Sequence, residues 1–276
     1  MAAVQMTGSV RSQPLPTATG RVGFAGALRS EFTKIRSVRS TYWTLLVLIV
    51  VSIGFGAVAS WGAASHPNQL GPDFDPTRLS LAGLYISQLI IAVLGALVVT
   101  SEYSTGMIRT SLTTMPRRGT VFAAKAVVFG AVALVTSLVA SFGSFFVGQA
   151  LMSSHHINAT LGQPHVLRAV IGGALFLTAC GLLAYGLGMI LRHTAGAITA
   201  AIGLLFVLSI LVGVLPESWQ FHVDKWMPAL AGSQVWIVKA GGNPPMLSAW
   251  VGFGVLCAYA AAAMVAGLIL FRKRDA

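Results

Sequence analysis

Six long runs of apolar residues dominate this sequence of 276 residues and restrict the folds open to it. A helix needs about 20 apolar residues to cross the hydrocarbon core of a bilayer. The runs of sufficient length occupy residues 42–61, 79–100, 121–152, 166–191, 194–215 and 247–271. The fourth and fifth runs are separated only by Arg192 and His193, which requires a tight hairpin. The sequence therefore predicts an all-α integral membrane protein in which residues 42–271 form a domain of six transmembrane helices.

The composition excludes a water-soluble protein. Charged residues make up 9% of the chain and hydrophobic residues 55%, whereas about 25% of the residues in a soluble domain are charged. Too few polar side chains are present to cover a surface that faces water. The two cysteines, Cys180 and Cys257, both lie in apolar runs, which argues against a disulfide scaffold or a cysteine-rich zinc site. Soluble enzymes, nucleic-acid-binding domains and disordered regulators are thus excluded as descriptions of the whole chain.

The distribution of charge predicts how the chain is oriented. With six crossings, fourteen of the eighteen Lys and Arg residues fall on one side with three acidic residues, and four fall on the other side with four acidic residues. Cytoplasmic loops carry the excess of Lys and Arg in membrane proteins. We therefore expect a multi-pass protein of the cell membrane with both termini in the cytoplasm. Residues 272–276 would form a basic cytoplasmic tail, and residues 1–21, which have no apolar period, a disordered one.

Residues 22–41 have the pattern of an amphipathic helix that lies in the membrane interface. Apolar residues recur at every third or fourth position, at Phe24, Leu28, Phe32, Ile35 and Val38, and so share one face of a helix. Glu31 falls near the edge of this face, where it can pair with Lys34 three residues later. Such a helix can serve as a membrane-surface anchor, and it can also offer a docking face to a cytosolic partner.

The loop between the second and third crossings contains a second short helical pattern. Ile108, Leu112 and Met115 are spaced by four and three residues, which gives one apolar ridge, and Pro116 ends the helix. The ridge can insert into a cleft on another protein or face lipid, and the pattern favours neither.

Three stretches together resemble a known family. Glu102-Tyr103-x-x-Gly106, followed by a short helix and Pro116-Arg117-Arg118, resembles the signature of ABC-2-type exporter permeases. Residues 31–43 resemble the N-terminal connecting helix of bacterial members, and residues 228–232 resemble a motif that some members carry before the last crossing. The resemblance extends from around residue 24 to the end of the chain. Met107 is a departure, because many relatives have Thr there.

The resemblance implies that the chain is the permease subunit of an ABC transporter, with energy supplied by a separate cytosolic ABC ATPase that holds ATP and Mg²⁺. A second permease copy or a homologue would complete a dimer, and the exported substrate would be a drug, a peptide or a lipid-like molecule. The short helix would couple the ATPase to the membrane helices. The implied coupling residues are Glu102, Tyr103, Gly106, Ile108, Arg109, Leu112, Met115, Pro116 and Arg117. The alternative is an ATP-independent channel, carrier or membrane scaffold.

The residues themselves suggest no energy source within the chain. The sequence has no G-x-x-x-x-G-K-[ST] loop to hold phosphates. No Asp or Glu lies in the middle of a crossing, where proton-coupled carriers commonly have one. His155, His156 and His165 share a loop that has no carboxylate, so a metal site is not favoured. We expect no catalytic, cofactor or metal site in this chain, and energy from another subunit.

Polar residues inside the crossings mostly predict hydrogen bonds between helices. Gln88 and Gln149 are weak candidates for a substrate path, because an amide that faces lipid is unfavourable. The loop 216–246 is too apolar for a solvated loop and too interrupted to cross the membrane. It predicts interfacial or re-entrant short helices, which form either an aromatic belt at headgroup depth or a lid over the substrate exit.

Overall fold

The computed structural model describes residues 23–71, 73–107, 118–238 and 246–273, except for the side chains of residues 217 and 221. Within these ranges the chain is helical and contains no strand. The helices are α1 (Phe24–Ser37), α2 (Arg39–Ser65), α3 (Pro76–Ser80), α4 (Leu84–Ser104), α5 (Arg118–Ser153), α6 (Val166–Leu191), α7 (Thr194–Val212), α8 (Glu217–Asp224), α9 (Pro228–Ser233) and α10 (Ala249–Lys273). The predicted cytoplasmic tail 1–21 lies outside the described residues.

Six of these helices, α2, α4, α5, α6, α7 and α10, are long and apolar enough to cross a membrane. This confirms the predicted all-α membrane fold with six crossings. One bound differs noticeably, because the second predicted crossing began at residue 79, inside what is a separate short helix. The Asp75 carboxylate caps α3 by accepting hydrogen bonds from the backbone N–H groups of Thr77 (2.9 Å) and Arg78 (3.2 Å). The chain then turns before α4 begins at Leu84.

Helix α5 is the longest of the six, with 36 residues. At 1.5 Å per residue it extends about 54 Å, whereas the hydrocarbon core of a bilayer is about 30 Å thick. Its ends therefore reach beyond the hydrocarbon core. Helix α7 is not a regular α-helix throughout, because it contains a π-helical turn at Gly203–Val207.

Helices α4 and α6 form the centre of the bundle. The most apolar stretch is 56% buried in α4 and 72% buried in α6, against 22% in each of α2, α7 and α10. Glycines allow these helices to approach their neighbours closely. A Cβ atom on Gly95 of α4 would collide with the carbonyl oxygen of Gly181 of α6, and a Cβ atom on Gly186 of α6 would lie 2.7 Å from the backbone of Ala263 of α10. The outer helices leave large apolar side chains exposed, such as Val58 and Trp61 on α2.

The two ends of the bundle differ in chemistry. The basic end contains the last turn of α4, the start of α5 and the last turns of α6 and α10, with Arg192, Arg272 and Lys273. The opposite end contains α3, the end of α5 and the start of α6. The segment before α10 also lies there, as short helices α8 and α9 and a 3₁₀ turn. In it Trp236 is buried in the core, whereas Trp219 and Trp226 are exposed.

Candidate functional site

Four charged side chains from three helices form a closed ring at the basic end. The Lys125 ammonium on α5 donates hydrogen bonds to Glu31 Oε2 (2.6 Å) on α1 and to Glu102 Oε1 (2.7 Å) on α4. The Lys34 ammonium on α1 donates to Glu31 Oε1 (2.7 Å) and to Glu102 Oε1 (3.1 Å). Two carboxylates and two ammonium groups therefore alternate, and their formal charges cancel. We refer to Glu31, Lys34, Glu102 and Lys125 as the charge ring.

The charge ring is largely removed from solvent. Glu31 is 4% exposed, Glu102 6% and Lys125 5%, and only the Lys34 side chain, 27% exposed, reaches the surface. A buried charge is tolerated only when it is paired and hydrogen-bonded, since its desolvation is otherwise expensive. Each member of the ring therefore depends on the others remaining in place.

The charge ring also sets the ionisation of its two members on α1. Burial disfavours the charged form of Glu31, but Lys125 and Lys34 together outweigh burial and hold the pKa of its carboxyl below the usual value. Burial likewise opposes the charge on Lys34, but Glu31 and Glu102 outweigh it and raise the pKa of the ammonium above its usual value. Both groups are thus charged at neutral pH.

The charge ring closes the base of the segment that connects α4 to α5. Glu102 lies in the last turn of α4 and Lys125 near the start of α5, 23 residues apart in sequence. After α4 the chain turns at Gly106, whose φ of +71° is a left-handed conformation that suits glycine. The predicted coupling residues Ile108, Arg109, Leu112, Met115, Pro116 and Arg117 lie outside the described residues. Glu102, Tyr103 and Gly106 lie at the entrance to this segment.

Further contacts extend the basic end to α6 and α10. The Arg192 guanidinium lies over the Tyr103 ring, 5.1 Å from its centroid, and donates a hydrogen bond to the Leu270 carbonyl (3.3 Å). Arg118 donates to the Phe271 carbonyl (3.1 Å). Cations at the end of a helix bind its free carbonyl groups and offset its dipole. The last turns of α4 and α10 and the start of α5 are therefore connected to the α6–α7 hairpin.

Helix α1 is oriented by Glu31 rather than by its apolar residues alone. The structure contains the Glu31–Lys34 pair that the spacing suggests, but Glu31 is buried, together with Ala27, among the residues of α1. The apolar residues Phe24 and Phe32 are 46% and 52% exposed. Of the other predicted interfacial residues, Leu28 is half-buried, and Ile35 is half-buried and packs against the core.

Sequence reasoning did not single out Lys125 as a site residue. One signal was present, since Lys125 is a lone cation inside an otherwise apolar stretch. An ionisable residue in such a stretch requires a partner. The acidic residues assigned to the same side of the membrane were only Glu31, Glu102 and Asp275. A search for that partner would have led to two members of the charge ring.

The two glutamines proposed for a substrate path have different environments. Gln149 Oε1 accepts a hydrogen bond from the Ala159 N–H (2.6 Å), and Gln149 Nε2 donates to the Pro76 carbonyl (3.1 Å) and to Ser80 Oγ (3.2 Å). These bonds join α5 to α3 and to the loop before α6, which gives Gln149 a structural role. Gln88 Nε2 donates to the Tyr85 carbonyl of its own helix (3.0 Å). Its Oε1 atom is buried without a hydrogen-bond partner among the described residues.

The fold defines a helical integral membrane protein with six helices long enough to span the bilayer. Residues 27–211, well over half of the chain, match the family described as ABC-2 family transporter protein. The chain belongs to this family, and it is therefore the permease subunit of an ABC transporter. A comparison with curated proteins finds no match.

Proposed function

We propose that this permease exports its substrate with energy from a separate cytosolic ABC ATPase, which docks at the basic end. The family supports association with such an ATPase. The charge ring supports this end of the bundle as the place where motion of the ATPase is transmitted to the membrane helices. It joins α1, α4 and α5 at the base of the connecting segment. The excess of Lys and Arg on that side supports a cytoplasmic location for the basic end.

The proposed mechanism follows from the cost of separating buried charges. Removing one partner from a buried ion pair costs about 3–5 kcal/mol, so the three helices that share the charge ring move together. A displacement of the connecting segment by the ATPase would move Glu102 and Lys125, and Glu31 and Lys34 would carry α1 with them. Helix α4 packs against the central helix α6 through Gly95. Motion at the basic end would thus reach the centre of the bundle.

The substrate and the dimer belong to the same proposal. A drug, a peptide or a lipid-like molecule would pass between this chain and a second permease copy or homologue. The buried and unpaired Oε1 atom of Gln88 supports Gln88 as the better of the two substrate-path candidates. No ATP-Mg would bind to this chain, because the sequence has no phosphate-binding loop.

The test uses the chain together with a cytosolic ABC ATPase that co-purifies with the parent chain. Leu112→Asp places a charge on the predicted apolar ridge, and Thr113→Asp places the same charge one residue away, off the ridge. If the ridge inserts into the ATPase, Leu112→Asp should abolish co-purification, since an unpaired buried charge costs several kcal/mol. Thr113→Asp should retain the complex. Size-exclusion profiles establish that both variants are folded.

Three results would overturn the proposal. Co-purification and stimulated ATP hydrolysis that survive Leu112→Asp would mean that this segment does not contact the ATPase. ATP hydrolysis that stays with the rigorously purified chain would remove the need for a second subunit. Transport by the chain alone in vesicles without ATP would favour a channel or a carrier instead.

A further inference from the structure

An open groove of about 580 Å³ lies between α1 and α5, beside the charge ring. On α1 it is lined by Leu28, Arg29 and Phe32. On α5 it is lined by Val127, Val128, Ala131, Val132, Val135 and Thr136. Three of its large apolar side chains remain exposed, Phe32 at 52%, Val127 at 53% and Val135 at 62%.

The groove has the direction expected for a lipid tail. The groove-lining residues of α5 share one face of the helix between Val127 and Thr136, a rise of about 13.5 Å at 1.5 Å per residue. They begin two residues after Lys125 and continue away from the basic end, toward the middle of the helix. The α5 wall is apolar apart from Thr136. A water-soluble partner would have to enter the hydrocarbon core to reach this wall, whereas an acyl chain is already there.

The charges on α1 complement an anionic headgroup. Arg29 is the one ionisable side chain among the described residues that line the groove. It is exposed and forms no ion pair with a described residue. Glu31, the acidic residue of α1, is buried in the charge ring, so the exposed charges of the helix are positive. A guanidinium binds phosphate oxygens in a bidentate manner, and anionic lipids of the inner leaflet attract such residues.

We propose that the groove binds an anionic phospholipid, with its phosphate on Arg29 and one acyl chain along residues 127–136 of α5. The lipid would cover the face of α1 that lines the groove, whereas the charge ring binds the buried face of α1 through Glu31.

Native mass spectrometry of the purified chain, titrated with phosphatidylglycerol or phosphatidylcholine, tests the site. Arg29→Gln should weaken phosphatidylglycerol binding about tenfold, the effect of losing one charge-assisted hydrogen bond. It should weaken phosphatidylcholine binding less, because the choline cation of that lipid already neutralises its phosphate. Arg36→Gln is the matched control, since Arg36 is exposed on the same helix but does not line the groove. It should bind phosphatidylglycerol as the parent does.

Ala131→Trp tests the apolar wall of the groove separately from the charge of Arg29. A bulky side chain there should fill the apolar wall and reduce the binding of both lipids, with Arg29 still present. Equal phosphatidylglycerol binding by Arg29→Gln and Arg36→Gln would overturn the proposal. So would a parent chain that does not distinguish the two lipids. Thermal unfolding of each variant in detergent distinguishes loss of the site from loss of the fold.

Discussion

The two ends of α5 are attached to their neighbours by different chemistry. Near the basic end, Lys125 joins two carboxylates from α1 and α4 at 2.6 and 2.7 Å. Near the opposite end, Gln149 joins a backbone N–H, a backbone carbonyl and a hydroxyl through neutral hydrogen bonds. Both side chains are at least nine-tenths buried. One helix thus has a charged attachment at one end and a neutral attachment at the other.

The difference indicates what each end contributes. The favourable energy of a buried ion pair is largely offset by desolvation, so such a pair is a weak source of stability. It is nevertheless costly to break, and it fixes which groups lie together. The neutral hydrogen bonds of the Gln149 amide cost less to break. The charged end is therefore suited to keep α1, α4 and α5 together when they move. The neutral end is suited to hold α5 against α3 and the loop before α6 in a fixed arrangement.

The largest expected effect concerns which end faces the cytoplasm. In a variant without the native cysteines, Asp73→Cys should react with an impermeant maleimide added outside intact cells. Thr113→Cys should react only after permeabilisation, because the excess of Lys and Arg marks its side as cytoplasmic. The reverse labelling pattern would contradict the orientation and would place the charge ring on the outer side.

Lys125→Met should have the largest effect on stability. It leaves Glu31 and Glu102 buried with Lys34 as their remaining ring cation, which should cost about 3–5 kcal/mol. Thermal unfolding in detergent, followed by tryptophan fluorescence, measures the loss. The double variant Lys125→Met, Glu102→Gln restores charge balance and should recover part of the stability, since contacting residues are not additive. Strict additivity would mean that the four charges do not act as one ring.

Glu102→Gln keeps the shape of the side chain and should lower stability somewhat less than Lys125→Met. A charge at an exposed helix end contributes only about 0.3–1 kcal/mol, but Glu102 is buried between two ammonium groups. The loss should therefore approach the lower end of about 3–5 kcal/mol. Stimulated ATP hydrolysis should fall more than co-purification with the ATPase. Equal losses of the two would contradict a role in transmission.

Gln149→Leu tests the neutral end with a side chain of similar size. The Ala159 N–H and the Pro76 carbonyl would lose their partner, which should cost about 1–3 kcal/mol. Stimulated ATP hydrolysis at a temperature where the variant remains folded should be unchanged. A fall in hydrolysis comparable to that of Glu102→Gln would remove the distinction between the two ends.

The smallest effect is that of pH, and it should be confined to the charged end. The pKa of Glu31 is lowered, so its stabilising contribution is present above its usual value of 4.5 and is lost as the pH falls through its folded value. The pKa of Lys34 is raised, so its contribution is present below 10.5 and is lost as the pH rises further. Unfolding temperatures of the parent and of Glu31→Gln should therefore differ by a constant amount from roughly pH 5 to 9. A difference that varies strongly within this range would contradict the assignment.

The six crossings could be predicted because a membrane imposes a length and a composition on every spanning helix. The separation of α3 from α4 could not, since the chain turns between Ser80 and Leu84 where Gly83 packs against the backbone of Ser52 on α2, a contact between distant parts of the chain. The pair within α1 follows from spacing along one helix. The charge ring does not, because Lys125 contacts Glu31 across 94 residues and only the packed helices bring them together.

The contact between Gly95 and Gly181 has a consequence for how sequences of this kind can diverge. At this contact the two backbones touch directly, so there is no side chain that could be exchanged for another of similar size. Even alanine at position 95 would force α4 and α6 apart. The outward faces of α2, α7 and α10 carry no such restriction. We expect substitutions to accumulate on these outward faces, while position 95 stays glycine in any functional library.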